Sequence, residues 1–316
     1  MTAGQATAGT VARVRARRFG GAAAALRSLL ARRDGLIGIA LMVFFTVLAL
    51  FPTLLVGPLE TAITATGPRL SPPSPGYPLG TDELGRSMVN LTVHAARVSM
   101  VIGMLATVIT VGVGAGLGII SGFVGGRTDG LIMRIADFFL VIPTFVLAII
   151  LTSLIRDALG GGSTELLGIR VSLLAIVVVI GITSWSSTAR IIRSQTLSLR
   201  ERAFVDRARV IGSGGGHIMR IHILPNVVNL VVANAVLVFA GAVLTETTLS
   251  FVGLGDPFQP SWGQILDSAR QVGAPGLGAW WYFVPPGACI VLVVFAFTLV
   301  GSALDDLLNP RRRARR

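Results

Sequence analysis

Six apolar runs, at 36–56, 98–122, 131–154, 171–185, 227–249 and 283–304, constrain this chain more than any other feature. Most are about 20 residues or longer, the length of helix that crosses a ~30 Å hydrocarbon core. Only 13% of the residues are charged, against about 25% in a soluble domain. The chain therefore reads as an all-α integral membrane protein with six transmembrane helices. Inside lipid every backbone polar group must find its partner within the segment, and a helix does this.

The net charge of +12 raises the possibility of nucleic-acid binding. Its distribution argues against that. All 27 basic residues are arginine, a usage that fits a GC-rich bacterial genome, and they cluster beside the apolar runs. With six spans both termini share one side. That side then holds 21 arginines: seven in the N-terminal tail, two in 121–134, seven in 189–225 and five at the C-terminus. The opposite loops hold six: Arg69, Arg86, Arg97, Arg156, Arg170 and Arg270. The positive-inside rule puts both termini in the cytoplasm, and anionic lipid accounts for much of the charge. Residues 1–35 form a cytoplasmic tail, with a short amphipathic helix over 21–33. The pair Arg17-Arg18 is no export signal, since Arg27, Arg32 and Arg33 interrupt the apolar stretch such a signal needs. Cys289 is the single cysteine, so no intrachain disulfide forms.

The second span carries Gly103, Thr107, Thr110, Gly114 and Gly118, three or four apart and so on one helix face. Small residues let helices approach closely in lipid, which makes this a packing face within the chain or against a partner subunit. Pro143 is expected to kink the third span. The fourth ends in a polar run containing Ser184 and Ser187, expected to face other helices or a water-filled path. Glu246 lies near the outer end of the fifth span, where a carboxylate is costly against lipid. It lines an outer gate or accepts backbone N–H groups from the turn 250–255. Asp137 is expected to pair with Arg134, and Asp305 and Asp306 with arginines. The aromatic residues Trp280, Trp281 and Tyr282 suit an outer-interface belt. Two long outer segments, 58–97 and 250–282, are rich in Gly and Pro and too polar to span.

Residues 198–226 form a basic island between two apolar runs. Ser198 and Glu201 have the capping-box spacing, and Gly212 is a helix stop. A helix over 199–211 follows, with Phe204, Ala208 and Ile211 on one face and Arg200, Arg202, Arg207 and Arg209 around it. Such a helix could lie on anionic lipid. The stretch DRARVIG…HILPN, however, resembles the EAA loop by which permease subunits of ATP-binding-cassette importers meet their ATPases. Asp206 stands for the Glu of that pattern, Arg207 and Ala208 for its two Ala, and Gly212 and Leu224-Pro225 match it. Arg207 and the glycines Gly214, Gly215 and Gly216 depart from it.

The stretches PLGTDELGRS at 78–87, FVGGRTDGLIMRIADFFLVIPTF at 123–145, LTETTLSFVGLGD at 244–256, PSWGQIL at 260–266 and ALDDLLNPRRR at 303–313 resemble the dipeptide/oligopeptide/nickel permeases, specifically the second, C-type, permease. The resemblance implies a first span and Pro-rich outer loop over 36–97 ahead of a five-span core over 98–304, then a basic tail over 305–316. It implies a bacterial plasma-membrane heterodimer with a homologous second permease. Its further partners are two ATPase subunits or one fused ATPase that bind ATP and Mg, and an extracellular substrate-binding protein or lipoprotein. The segment with Glu201, Phe204, Asp206, Arg207, Ala208, Ile211, Gly212, Leu224 and Pro225 then couples to the ATPase, with Phe204, Ala208 and Ile211 as its apolar contacts. Peptides are the expected cargo, with nickel chelates or haem as alternatives.

The chain itself carries no catalytic equipment. A phosphate-binding P-loop needs a lysine, and there is none. His94, His217 and His222 make no metal motif. A secondary transporter would want an inverted repeat and mid-span acids, and neither is present.

Overall fold

The computed structural model describes residues 29–30, 32–158, 165–166 and 169–308. The N-terminal tail, the helix expected over 21–33 and the basic tail beyond 308 lie largely or wholly outside them. Apart from a two-residue antiparallel pairing of Glu165–Leu166 with Ile169–Arg170, every regular element among the described residues is helical.

In chain order these are α1 (Arg33–Leu50), α2 (Pro52–Val56), α3 (Met88–Val124), α4 (Gly126–Val141), α5 (Thr144–Ala158), α6 (Val171–Arg200), α7 (Ala203–Val210), α8 (Gly215–Ile218), α9 (Leu224–Leu249), α10 (Trp262–Gln271) and α11 (Trp280–Leu308). Five segments are long and apolar enough to cross a membrane: α1, α3, α6, the stretch Gly215–Leu254 around α9, and α11. The sixth candidate is a pair of helices. Between α4 and α5 the chain turns by 94°. Pro143, expected to kink a span, breaks it into two helices, because the missing N–H and the ring clash together interrupt the ladder.

α3 begins at Met88, ten residues before the apolar run. Its first turns carry polar side chains that are consumed by the preceding loop. Asn90 donates to Val56 O and Pro58 O and accepts from Glu60 N, and His94 Nε2 contacts Gly57 O at 2.9 Å.

The centre of the bundle is the pairing of α3 with α6. A Cβ added at Gly114 would lie 2.7 Å from Thr188 Cβ and 2.7 Å from Trp185 O, and one at Gly118 2.6 Å from Ala189 O. Ile109 meets Gly181, and Gly122 meets Thr196. Partner numbers rise together, so the two helices run parallel and in step. Thr107 and Thr110 are buried, the former donating to Gly103 O at 2.7 Å, and Gly103 itself faces Val243 and Phe239 of α9. Side chains without bulk let the backbones close, and dispersion between them replaces the absent hydrophobic drive.

A second core joins α1, α9, α10 and α11 around Phe45, Phe239, Trp262, Tyr282 and Phe297. Phe239 stacks on Phe297 at 3.9 Å, and Phe45 meets Trp262 edge-on at 5.7 Å. Of the expected aromatic belt only Trp280 is well exposed. Trp281 Nε1 donates to Thr81 O at 3.2 Å and the Tyr282 hydroxyl to Glu83, so these rings tie α11 to the proline-rich loop.

Candidate functional site

Two regions qualify, a groove along the spans and the arginine-rich end of the bundle. The groove, of about 320 Å³, lies between α6 and α9 and is lined by Ser184 and Ser187 from one side and Asn234, Gly241 and Thr245 from the other. The α9 residues recur at i, i+7 and i+11, which keeps them on one helix face. Asn234 Nδ2 donates to Thr188 Oγ1 at 2.9 Å, and Thr245 Oγ1 donates to Gly241 O at 2.9 Å. Hydroxyls and an amide face the opening with no charged side chain among its lining residues. The arrangement can exchange hydrogen bonds with an uncharged polar chain sliding past. It offers no nucleophile–base pair, and no cluster of metal-ligating side chains occurs among the described residues.

Glu246 does not join this groove. It sits one residue beyond Thr245, about 100° further round the helix, and its side chain is fully buried. Its carboxyl meets a side chain where backbone N–H groups were one expected partner: Ser250 Oγ donates to Glu246 Oε1 at 2.8 Å. Ser99 Oγ, close by, accepts from Trp262 N at 3.3 Å. The carboxyl is thus enclosed where the π-helical turn Ser250–Leu254 folds back to α10.

At the arginine-rich end, α6 runs on to Arg200 and absorbs Ser198. The capping box expected from Ser198 and Glu201 is therefore not formed. The N-cap of α7 is Arg202, with no side-chain bond. At the other end Gly212 is left-handed, φ +87°. Gly212 N donates to Arg209 O at 2.9 Å and Ser213 N to Ala208 O at 3.0 Å, which is the Schellman closure.

α7 turns a different face to the bundle than the i, i+4, i+7 pattern suggested. Val205 and Ala208 are buried with Ile119, Ile218 and Ile223, and Phe204 is partly covered by them. Val210 and Ile211 are 88% and 83% exposed. Phe204 and Ala208 are thereby engaged within the chain, and the free apolar edge is Val210 with Ile211, flanked by exposed Glu201, Asp206 and Arg207. Asp206 accepts from Arg209 at 3.2 Å.

Leu224-Pro225 lies within one continuous helical path from Gly215 to Leu254. A π-helical turn, Met219–Ile223, precedes it. Pro225 lacks an N–H and its ring crowds the carbonyl four residues back, and the wider turn relieves that conflict.

Two acid–base pairs join α4 to α6. Arg193 holds Asp129 through both Nε and a terminal nitrogen at 2.6 Å each. Asp137 pairs with Arg190 rather than with its neighbour Arg134. Arg32 and Asp306 pair at 3.2 Å.

Residues 114–314 match the family described as binding-protein-dependent transport system inner membrane component. A di/tripeptide transport system permease protein, DppC, of Pseudomonas aeruginosa is 36% identical over 234 residues, 74% of this chain and 72% of that one. An oligopeptide transport system permease protein, OppC, of Mycobacterium tuberculosis is 33% identical over 250 residues, 78% and 80% of the two chains. A dipeptide transport system permease protein, DppC, of Alkalihalophilus pseudofirmus is 32% identical over 295 residues, 92% and 90% of the two.

Proposed function

This chain belongs to the binding-protein-dependent transport system inner membrane components, and from that premise we propose that it forms half of the path by which an ATP-driven importer carries di- and oligopeptides across a bacterial plasma membrane. It is a multi-pass, non-catalytic permease subunit. The observation that carries the cargo reading is that the three relatives are named for dipeptide, di/tripeptide and oligopeptide transport. The groove suits that cargo. Its uncharged donors and acceptors meet the amide groups every peptide shares, and no lining charge rejects a particular side chain.

In this reading a second, homologous permease supplies the other wall of the path. An external binding protein delivers cargo to the proline-rich end. Separate ATPase chains, which bind ATP and Mg, meet the arginine-rich end. The arginine asymmetry supports a cytoplasmic orientation for that end and for both termini. Val210 and Ile211 are the apolar contacts offered to the ATPase, with Glu201, Asp206 and Arg207 as a polar rim. Val205 and Ala208 bury against residues of α3 and of the stretch leading into α9. Close-packed contacts transmit displacement, so a shift of α7 reaches α9, which lines the groove.

Uptake of labelled di-, tri- and oligopeptides into cells with and without the complete importer tests the cargo. Peptide accumulation that depends on this subunit is expected. Uptake of a nickel chelate or haem with no peptide uptake would overturn it. Ser184→Ala combined with Thr245→Val is expected to slow peptide uptake several-fold at equal protein level. Impermeant labelling from outside should miss Gly214→Cys and reach Ser74→Cys in a Cys289→Ser background; the reverse pattern would invert the orientation.

A further inference from the structure

We propose that the cleft between the N-terminal halves of α3 and α6, at the end of the bundle that carries the proline-rich loop, binds one anionic phospholipid. The cleft, of about 180 Å³, has apolar walls including Val101, Leu105, Leu174 and Val177, with Arg97 and Arg170 also lining it. Val101 and Leu105 are 49% and 40% exposed, so the wall opens on the surroundings of the span. The in-step pairing of Ile109 with Gly181 and of Gly122 with Thr196, carried back along both helices, sets Arg97 level with Arg170. Two guanidinium groups therefore share one level at the end of an apolar trough.

Arg170 is held in place and already ion-paired with the fully buried Asp256, so Arg97 supplies the uncompensated charge of the cleft. One terminal nitrogen donates to Asp256 Oδ1 at 3.2 Å, and the guanidinium lies 4.5 Å from the centre of the Phe258 ring. Arg97 is exposed and forms no ion pair among the described residues. Guanidinium groups prefer phosphate oxygens, which they can meet through two parallel hydrogen bonds. A water-soluble anion would gain nothing from the trough below. A zwitterionic lipid brings its own cation to the arginines. An apolar helix laid in the cleft would strip water from Arg97 without giving it a partner. A phosphodiester on acyl chains, with no amine, satisfies both halves of the cleft.

This inference rests on the spans and not on the cargo. The assembled importer, purified in mild detergent, is analysed for retained lipid by mass spectrometry. It is then stripped of lipid and titrated with phosphatidylglycerol or phosphatidylethanolamine while its melting temperature is followed. Wild type should retain phosphatidylglycerol and be stabilised by it selectively. Arg97→Gln removes one charge-assisted contact, which corresponds to about a tenfold fall in affinity. Val101→Trp fills the trough, keeps both arginines and should lower retention as well.

Equal retention in wild type and both variants would overturn the proposal, as would equal stabilisation by the two lipids. Full protection by inorganic phosphate alone would reassign the site to a free anion. Efficient cross-linking of Val101→Cys to the second permease would show a protein helix in the cleft instead. Peptide uptake is a separate readout: its absence bears on the cargo reading, and loss of selective lipid retention bears on this one.

Discussion

The two ends of the bundle are finished to different degrees. In the proline-rich loop, Asp82 and Glu60 gather the nearby donors. Asp82, fully buried, accepts from Leu84 N, Arg86 N and Arg86 Nε. Glu60 accepts from Ser87 N at 2.6 Å, and Trp262 Nε1 donates to Thr92 O at 3.0 Å. At the arginine-rich end Val210 and Ile211 stand in the open, and no side chain approaches where Gly212, Gly214 or Gly216 would carry a Cβ. The loop around Asp82 and Glu60 completes its own hydrogen bonds, whereas α7 presents an uncovered apolar edge at Val210 and Ile211. A loop that binds by offering a rigid face can complete its own hydrogen bonds in advance. On the proposed reading, α7 is gripped by an ATPase and so must keep its contact surface uncovered.

If that contrast is right, damage at the closed end costs stability and damage at the open end costs partnership. The largest effect is expected from Trp262→Ala, which empties a buried site and should cost about 3–5 kcal/mol. Loss of the folded subunit from detergent extracts would be the readout, and a melting temperature near wild type would break the comparison. Asp82→Ala leaves the Arg86 guanidinium without its buried partner and should cost about 3 kcal/mol, seen as faster proteolysis within 68–87.

Gly114→Ala calibrates the middle of the bundle. Its methyl group would press on Trp185 O and Thr188, an overpacking worth about 1–3 kcal/mol, and thermal melting should register it whatever happens at either end. Smallest in stability are Val210→Asp and Ile211→Asp, expected within about 0.5 kcal/mol of wild type. Both should nevertheless lower the ATPase recovered with the importer and reduce uptake. If they shift the melting point as much as Asp82→Ala does, the open end is structural and the contrast fails.

Much of this was readable in the residues, and what was not has physical causes. The apolar runs, the small-residue face of α3 and the helix stop at Gly212 depend on composition and local backbone geometry, which a sequence displays directly. α7 starts later than the residues suggest: Ser198 and Glu201 satisfy a local capping rule, while Thr196 and Leu199, packed against α3 and α7, carry α6 past it. Long-range contact overrode local propensity. Asp137 chose Arg190 over Arg134 for the same reason.

Other features carry a local signal in the sequence. Ser261 and Gln264 show capping spacing and form that bond, Gln264 N to Ser261 Oγ at 3.2 Å. Asn234 and Thr245, 11 residues apart and so on one face of α9, are polar positions in an apolar run, as Ser184 and Ser187 are on α6. The orientation of Glu246 had no such signal, since only the fold-back of 250–262 decides which side of α9 is buried.

The glycine contacts between α3 and α6 have a mechanical consequence. Backbones that touch through missing side chains have no slack to slide or pivot, so the pair behaves as a single stiff spar. Any widening of the path must then come from what leans on that spar. The corner at Ile142-Pro143 and the α9 wall are the available joints, which makes this half-channel a fixed jamb with a moving door.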